Sequence, residues 1–485
     1  MQDIIQAELT LHWSTVIYIS EWLVRLIMLG IVIDRHPLRA AMTWLLVIFF
    51  LPWPGLILYL FIGENRLPRR RLSKRKALLD KLEDVRERYM RQRIDLTSVV
   101  SQTFQPTITL AERLGYMPIM FGNQTTVLAD TNKVIDRLIE DIDAAQNHVH
   151  LLFYIFAVDE TGQRIIKALE RAAARGVKCR LLVDAQGSRH FIKKMARQMQ
   201  NRGVELYPVL PVSLLRAWAA RIDLRNHRKI AVIDGLIAYT GSQNIVNADY
   251  GDRELQWYDL MVRLTGPVVL ELQAVFTGDW FAESDEFLKG AEVFPDTTTQ
   301  VDADDAVQTL PSGPLFPAEN YQRVVVAALH AARHRVIITT PYFVPDEVFL
   351  EAMETAALQG VKVELIVPQK SDQLLVGNAA RAYYERLLKN GVSIYLFDKG
   401  LLHAKTMTID DSLAFLGSSN FDIRSFALNF EINMIFYGTQ IAGKLHQRQE
   451  WFRTNSQQLT LSQWQQRPRY QRVIQNIIKL LSPLL

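Results

Sequence analysis

The chain opens on two apolar runs, from about Leu11 to Ile33 and from about Ala40 to Ile62. Each holds about 22 residues, and a helix of that length, rising about 1.5 Å per residue, spans the ~30 Å hydrocarbon core of a bilayer. The pattern predicts an N-terminal transmembrane helix pair. Glu21 and Arg25 interrupt the first run on one helix face. Ionisable groups at that depth are paired or functional, and a local ion pair facing the second helix is expected. Pro52-Trp-Pro-Gly55 interrupts the second run. Two prolines remove two backbone donors, so this run is expected to kink or to be re-entrant. Arg66, Arg69, Arg70, Arg71, Lys74, Arg75 and Lys76 follow it, against only Arg35, His36 and Arg39 between the runs. The heavier basic flank is expected on the cytoplasmic side. The N-terminus is then inside if the second run crosses, and outside if it does not. The opening Met-Gln-Asp-Ile-Ile-Gln-Ala-Glu has no basic region, and no small-residue cleavage site follows, so a signal peptide is not expected.

Beyond the runs the pattern changes twice. Leu72 to Arg93 is rich in Lys, Arg, Glu and Leu at helical spacing and reads as a charged connector. A duplicated α/β pattern then begins. Ala168-Leu-Glu-Arg-Ala-Ala-Ala-Arg-Gly176-Val-Lys-Cys-Arg-Leu-Leu-Val183 matches Ala352-Met-Glu-Thr-Ala-Ala-Leu-Gln-Gly360-Val-Lys-Val-Glu-Leu-Ile-Val367. Each is a helix, a glycine C-cap and an apolar strand. His148 to Tyr154 pairs with Arg335 to Pro341 as an earlier strand, and Gly203 to Tyr207 with Gly391 to Tyr395 as a later one. Strands alternating with helices predict a sheet with parallel strands in each half. The expected domains are a membrane anchor over 1–66, a basic connector over 67–105, and two duplicated domains over 106–305 and 306–485, the last ending in an amphipathic segment. The first half carries an extra apolar piece, about Leu210 to Asp223, with Trp218 and flanking arginines. It suits either an interfacial helix or a domain-interface helix.

Composition narrows the chemistry. A net charge of +4 over 485 residues argues against a nucleic-acid partner. The single cysteine, Cys179, lies in an apolar strand and excludes an internal disulfide or a four-cysteine zinc site.

Two copies of one motif carry the chemistry. His227-Arg-Lys229-Ile-Ala-Val-Ile-Asp234 leads to Gly241-Ser242-Gln-Asn244, and His403-Ala-Lys405-Thr-Met-Thr-Ile-Asp410 leads at the same spacing to Gly417-Ser418-Ser-Asn420. Residues i and i+2 of a strand share a face, so each His and Lys project together. His227, Lys229, Asp234, His403, Lys405 and Asp410 are the candidate catalytic set. Imidazole, ammonium and amide suffice for phosphodiester transfer without metal or other cofactor. One neutral His attacks phosphorus and the other, protonated, donates to the leaving oxygen. The lysines, with Ser242, Asn244, Ser418 and Asn420, are candidates to hold the phosphate oxygens. Asp234 and Asp410 each end a strand before a turn, where a structural role is expected over proton transfer. Asp259 and Glu431, seven residues before Gly266 and Gly438 at matching positions of the halves, are candidates to orient the histidines through Nδ1. One half supplies one His, so the two halves are expected to form one site.

These motifs are those of the phospholipase D superfamily, and the chain resembles bacterial cardiolipin synthases along its length. The resemblance rests on Phe49-Phe-Leu-Pro-Trp-Pro-Gly55, Phe153-Tyr154-Ile155, Asp223-Leu-Arg-Asn-His227, Tyr239-Thr-Gly-Ser242, Thr339-Thr-Pro-Tyr-Phe-Val-Pro345, Asn429-Phe-Glu431-Ile and Ser482-Pro-Leu-Leu485. It implies a phosphatidyltransferase at the bacterial inner membrane, with its catalytic domains on the cytoplasmic side. Phosphatidylglycerol is the implied substrate and anionic lipids the implied partners. Two phosphatidylglycerols would give cardiolipin and glycerol through a phosphatidyl-histidine on His227, with His403 as acid and then base. A hydrolytic phospholipase D, another phosphatidyltransferase and a lipid-binding scaffold are the rivals that the residues leave open.

Overall fold

A computed structural model of the chain describes residues 2–36, 38–64, 67, 71, 73, 74, 101–211, 221, 223–251, 255–296, 305–317 and 319–480. Most of the basic connector, the core of the extra piece before His227 and the terminal Ser482-Pro-Leu-Leu485 lie outside the described residues. One compact unit comprises Met1–Arg70 with Val212–Leu224, and the other comprises Arg71–Pro211 and Arg225–Leu485.

The first unit is built on three helices, α1 (Gln2–Arg35), α2 (Leu38–Phe50) and α3 (Pro52–Ile62). Within α1, Trp13–Arg35 is long and apolar enough to cross a membrane, whereas α2 and α3 are each too short. The second apolar run is therefore not one spanning helix. It breaks at Leu51, where Pro52 starts a new helix. The chain then folds back sharply. In a straight helix Gly55 would lie about 10 Å from Ile48, yet a Cβ on Gly55 would come within 2.9 Å of the Ile48 Cα. Only a glycine admits this approach. Val24, Met28, Val32, Ala41, Ile48 and Tyr59 form the buried seam of the three helices. Arg25 pairs with Glu21 at 3.2 Å and donates through Nε to the Phe49 carbonyl at 3.0 Å. The charge inside the first run thus caps the broken end of α2.

The second unit holds nineteen strands among its described residues. Its first half contains β1 (Met120–Leu128), β2 (His148–Phe153), β3 (Lys178–Asp184), β4 (Val204–Val209), β5 (Ile230–Ile233), β6 (Ile237–Gly241), β7 (Trp257–Tyr258) and β8 (Met261–Thr265). The second contains β9 (Asp305–Ser312), β10 (Arg335–Thr339), β11 (Phe343–Val344), β12 (Lys362–Pro368), β13 (Ser393–Phe397), β14 (Leu401–Leu402), β15 (Thr406–Ile409), β16 (Leu413–Gly417), β17 (Phe421–Asp422), β18 (Glu431–Tyr437) and β19 (Ser456–Leu459). Fifteen of them form one sheet in the order β19-β13-β12-β10-β15-β16-β18-β9-β1-β8-β6-β5-β2-β3-β4. From the central antiparallel pair β9–β1 outward, the two wings repeat the same order, β19 being the one addition.

The wings are mixed rather than parallel. Strands β2, β3 and β4 run parallel, as do β10, β12 and β13. The motif strands β5–β6 and β15–β16 are antiparallel. The reason is local: Asp234-Gly235 and Asp410-Asp411 close tight turns, with positive φ at each residue, and a tight turn joins only antiparallel strands. The duplicated helices Glu160–Ala174 and Glu347–Leu358 start on Asp159 and Asp346, whose carboxylates accept from Gly162 N and Phe349 N. They end on Gly176 and Gly360, both at φ +91°, which lets Val177 N and Val361 N bond back to Ala172 O and Ala356 O.

Candidate active site

His227 and Lys229 lie just before β5, and His403 and Lys405 just before β15. All four side chains line one cavity of about 780 Å³, together with Asn244, Ser418 and Asn420. That volume suits a ligand the size of a lipid headgroup. Tyr154 stands beside His227 with ring centroids 4.1 Å apart, and Trp257 beside His403 at 4.5 Å. Neither aromatic wall belongs to the repeated His–Lys motif, although Tyr154 lies in the Phe153-Tyr154-Ile155 stretch of the family resemblance.

The halves exchange backbone as well as side chains. His227 N donates to Phe430 O and His403 N to Tyr258 O, each at 2.8 Å. The acceptors immediately precede Glu431 and Asp259 in the opposite half. Each carboxylate therefore meets the other half's histidine. His403 Nδ1 is 2.7 Å from Asp259 Oδ1, and His227 Nδ1 is 3.2 Å from Glu431 Oε1. Asn429 Nδ2 also lies 3.2 Å from His227 Nδ1. Contact through Nδ1 leaves Nε2 of both rings for chemistry.

Ser418 lines the cavity and Ser242 is not among its lining residues, and both hydroxyls bond to the carboxylates. Ser242 Oγ donates to Asp259 at 2.6 Å and accepts from Leu260 N at 3.0 Å. Ser418 Oγ donates to Glu431 at 2.5 Å and accepts from Ile432 N at 2.9 Å. Both hydroxyls are spent on fixing the carboxylates. The preceding glycines allow this: a Cβ on Gly241 would come within 2.3 Å of Leu260 O, and one on Gly417 within 2.4 Å of Ile432 O. Asn244 accepts from Ile155 N at 3.1 Å, which fixes its amide at the cavity wall.

Asp234 and Asp410 do not line the cavity. Asp234 accepts from the backbone N–H groups of Gln146, Asn147 and His148 at 2.7–2.8 Å. Asp410 accepts from those of Arg333, His334 and Arg335 at 2.7–2.9 Å. Each pins the loop entering β2 or β10 to the turn after its motif strand. In both copies the motif's last residue clamps backbone away from the cavity.

Arg228, between the first His and Lys, points away from the cavity. It donates to Asp279 at 2.6 Å, to Glu431 O at 3.1 Å and to Ser312 O at 3.4 Å, all in buried surroundings. It ties the first motif to β18 and β9 of the second half. The second copy has Ala404 at this position, so the repeat carries no signal for the residue.

Burial dominates the electrostatics. It lowers Lys229 to about 8 and Lys405 to about 7, although Glu431 and Asp259 pull upward. Each ammonium donates to its own histidine's carbonyl at 2.6 Å. Burial, then the Lys405 charge, lowers His403 to about 4 against the pull of Asp259. Burial alone would raise Asp259, but His403, Lys405 and Ser242 together hold it below the usual carboxylate range. The cavity thus carries two cations at the edge of losing their protons. A bound phosphodiester anion would restore protons to the lysines and to His403.

A duplicated mixed sheet that pools two His–Lys pairs in one cavity defines a protein of the phospholipase D superfamily. The family described as "Cardiolipin synthase, PLD-like domain" matches residues 138–280 and 325–453, and one described as "Phospholipase_D-nuclease N-terminal" matches 22–64. The chain is 36% identical to cardiolipin synthase A of Serratia proteamaculans, covering 94% of this chain and 95% of that one. It is likewise 36% identical to cardiolipin synthase A of Cronobacter sakazakii, covering 97% and 98%. The crystal structure of phosphatidylserine synthase from Haemophilus influenzae shares the fold, with a TM-score of 0.58 and 15% identity over 78% of this chain and all of that one. The chain belongs to the cardiolipin synthase family of phospholipase D-like proteins.

Proposed function

We propose that this protein is a membrane-held cardiolipin synthase that joins two phosphatidylglycerols through a phosphatidyl-histidine. The observation that carries the reading is the cavity lined by both histidines and both lysines, in a chain that aligns end to end with relatives named cardiolipin synthase A. In the first step His227 Nε2 attacks the donor's phosphorus. The P–O bond to glycerol breaks, and protonated His403 gives its proton to the leaving glycerol oxygen. In the second step the terminal glycerol hydroxyl of another phosphatidylglycerol attacks the same phosphorus. His403 accepts the proton of that hydroxyl and the P–N bond breaks, releasing cardiolipin and restoring both histidines to their starting forms. Lys229, Lys405, Asn244 and Asn420 hold the non-bridging oxygens as charge develops. Asp259 and Glu431 hold the imidazoles and stabilise them when charged.

The membrane arrangement follows the same reading. Trp13–Arg35 crosses once, and α2–α3 re-enters without crossing, since about 13 and 11 residues reach only about 20 and 16 Å. The bulk of the chain then lies on the cytoplasmic side of the bacterial inner membrane with the N-terminus opposite, in accord with the basic flank after Ile62. Purified protein incubated with labelled phosphatidylglycerol tests the function. Cardiolipin and glycerol in equal amounts are expected, and His227→Asn abolishes both. Phosphatidic acid without cardiolipin would overturn the synthase reading in favour of a hydrolase. Trapping labelled phosphatidyl protein in His403→Asn but not in His227→Asn tests the division between the histidines.

A further inference from the structure

The helix Arg469–Lys479 packs on the domain in an unusual sense. An amphipathic helix on a globular protein ordinarily buries its apolar stripe. Here Tyr470, Val473, Ile474, Ile477 and Leu480 are between 48% and 74% exposed, while Gln475 is buried at 4%. The exposed residues recur at helical spacing on one face. The other face makes the attachment. Arg472, and Arg467 just before the helix, each donate to Glu385 at 3.1 Å, and Lys479 Nζ lies 4.4 Å from the centre of the Tyr383 ring. Ile478 alone of the apolar residues packs on the core.

The supporting helix, Leu374–Lys389, is also a wall of the active-site cavity. Leu374, Gly377, Asn378 and Arg381 line that cavity, while Tyr383 and Glu385 further along hold the terminal helix. Leu374 and Leu375 are exposed as well, at 78% and 50%. One rigid helix about 24 Å long therefore connects the cavity to the outward apolar face. The terminal helix bears Arg469, Arg472 and Lys479 and no acidic residue. Arg469 and Arg472, whose side chain is 57% exposed beside its Glu385 contact, flank the apolar stripe and match an anionic bilayer surface and not an apolar protein groove.

We infer that Arg469–Lys479 is an interfacial foot that inserts its apolar face into an anionic lipid surface. It holds that surface within a helix length of the cavity that consumes its lipids. The inference rests on the lipid-transfer reading above, and its test separates the two. In full-length protein reconstituted into vesicles of phosphatidylglycerol and phosphatidylethanolamine, nitroxide labels are placed at Ile474→Cys, Ile477→Cys and, as the polar control, Asn476→Cys. The native Cys179 is buried and does not compete. Labels at 474 and 477 are expected to be open to oxygen and closed to a water-soluble nickel complex, with the reverse at 476. Equal access to the nickel complex at all three overturns the foot whatever the activity. Spin–spin broadening at 474 in detergent, showing a second copy on this face, also overturns it. The variant Val473→Ser/Ile477→Ser is expected to turn over vesicle phosphatidylglycerol at least fivefold more slowly. It should match wild type within twofold on short-chain phosphatidylglycerol dissolved below its micellar limit. Equal rates on both substrates count against the foot, whereas wild type inactive on both counts against the transfer reading alone.

Discussion

Replacing Asp410 by asparagine removes a charge and leaves the backbone as it is. Asp410 sits at φ +49°, a conformation that asparagine adopts nearly as readily as any residue but glycine. What changes is the set of three N–H groups from Arg333, His334 and Arg335 that the carboxylate accepts. Oδ1 keeps two of them as neutral hydrogen bonds, each weaker by about 1 kcal/mol. The third, from Arg333, meets an amide N–H₂ and is lost, at a cost moderated by water because this end is exposed. The expected destabilisation is about 2–3 kcal/mol, or a fall in Tm of roughly 2–4 °C for a unit of this size. The assay is thermal unfolding in detergent beside turnover of labelled phosphatidylglycerol at 20 °C. Asp410→Asn should lose the stated stability and keep kcat within about threefold, and Asp234→Asn should behave alike. An unchanged Tm with kcat down a hundredfold would refute the reasoning and return the aspartate to the chemistry.

Asp259→Asn and Glu431→Gln should each lower kcat by about 10²–10⁴-fold, and adding His403→Asn to Asp259→Asn should cost little more, because the pair acts as one unit. A loss below tenfold in either single variant would contradict the crossed pairing. As pH rises through 7 to 8, Lys405 and Lys229 lose their protons and kcat/KM should fall, with the limb displaced upward in kcat because bound phosphate favours the ammonium. Their folded pKa values lie below the unfolded value of about 10.4, so between pH ~8 and ~10 the unfolded chain binds more protons and these lysines make stability rise with pH. A level kcat/KM from pH 7 to 9.5, or a Lys405→Met variant that leaves both slopes unaltered, would sink this account. Arg228→Ala should destabilise by about 3 kcal/mol, seen as a lowered denaturation midpoint, since it takes the nearest cation from buried Asp279 and leaves it the neutral Asn226 amide at 3.1 Å and the more distant Arg71 at 3.5 Å. A midpoint equal to wild type would remove Arg228 from the docking of the halves.

The sequence made some of this legible because local signals were repeated. The helix–glycine–strand units ending at Val183 and Val367 appear as read, and so do the turns at Asp234 and Asp410. Asp259 and Glu431 stand out as carboxylates in otherwise apolar stretches. Their crossing does not, since it depends on how two distant segments dock, through Tyr258 O and Phe430 O. The serines' bonds to the carboxylates are hidden for a related reason: Gly-Ser suggests a phosphate cradle, and nothing local shows the carboxylate 2.6 Å from Ser242 Oγ. Parallel strands were expected from the alternating elements, but each motif hairpin inserts an antiparallel pair. The prolines announced a break in the second apolar run. The fold-back itself needed the missing side chain of Gly55 against Ile48.

The crossed carboxylates have a consequence for inheritance. A single half possesses a histidine and a carboxylate that cannot serve each other, so a chain made of one half completes the centre only as a twofold pair of identical copies. Fusing the copies relaxes that symmetry without breaking the exchange. Each histidine can then drift towards its own task, with Asn429 at one and Trp257 at the other, while neither half can be lost. Any opening between the halves also disarms both histidines together. The two histidine–carboxylate pairs are therefore assembled or lost together.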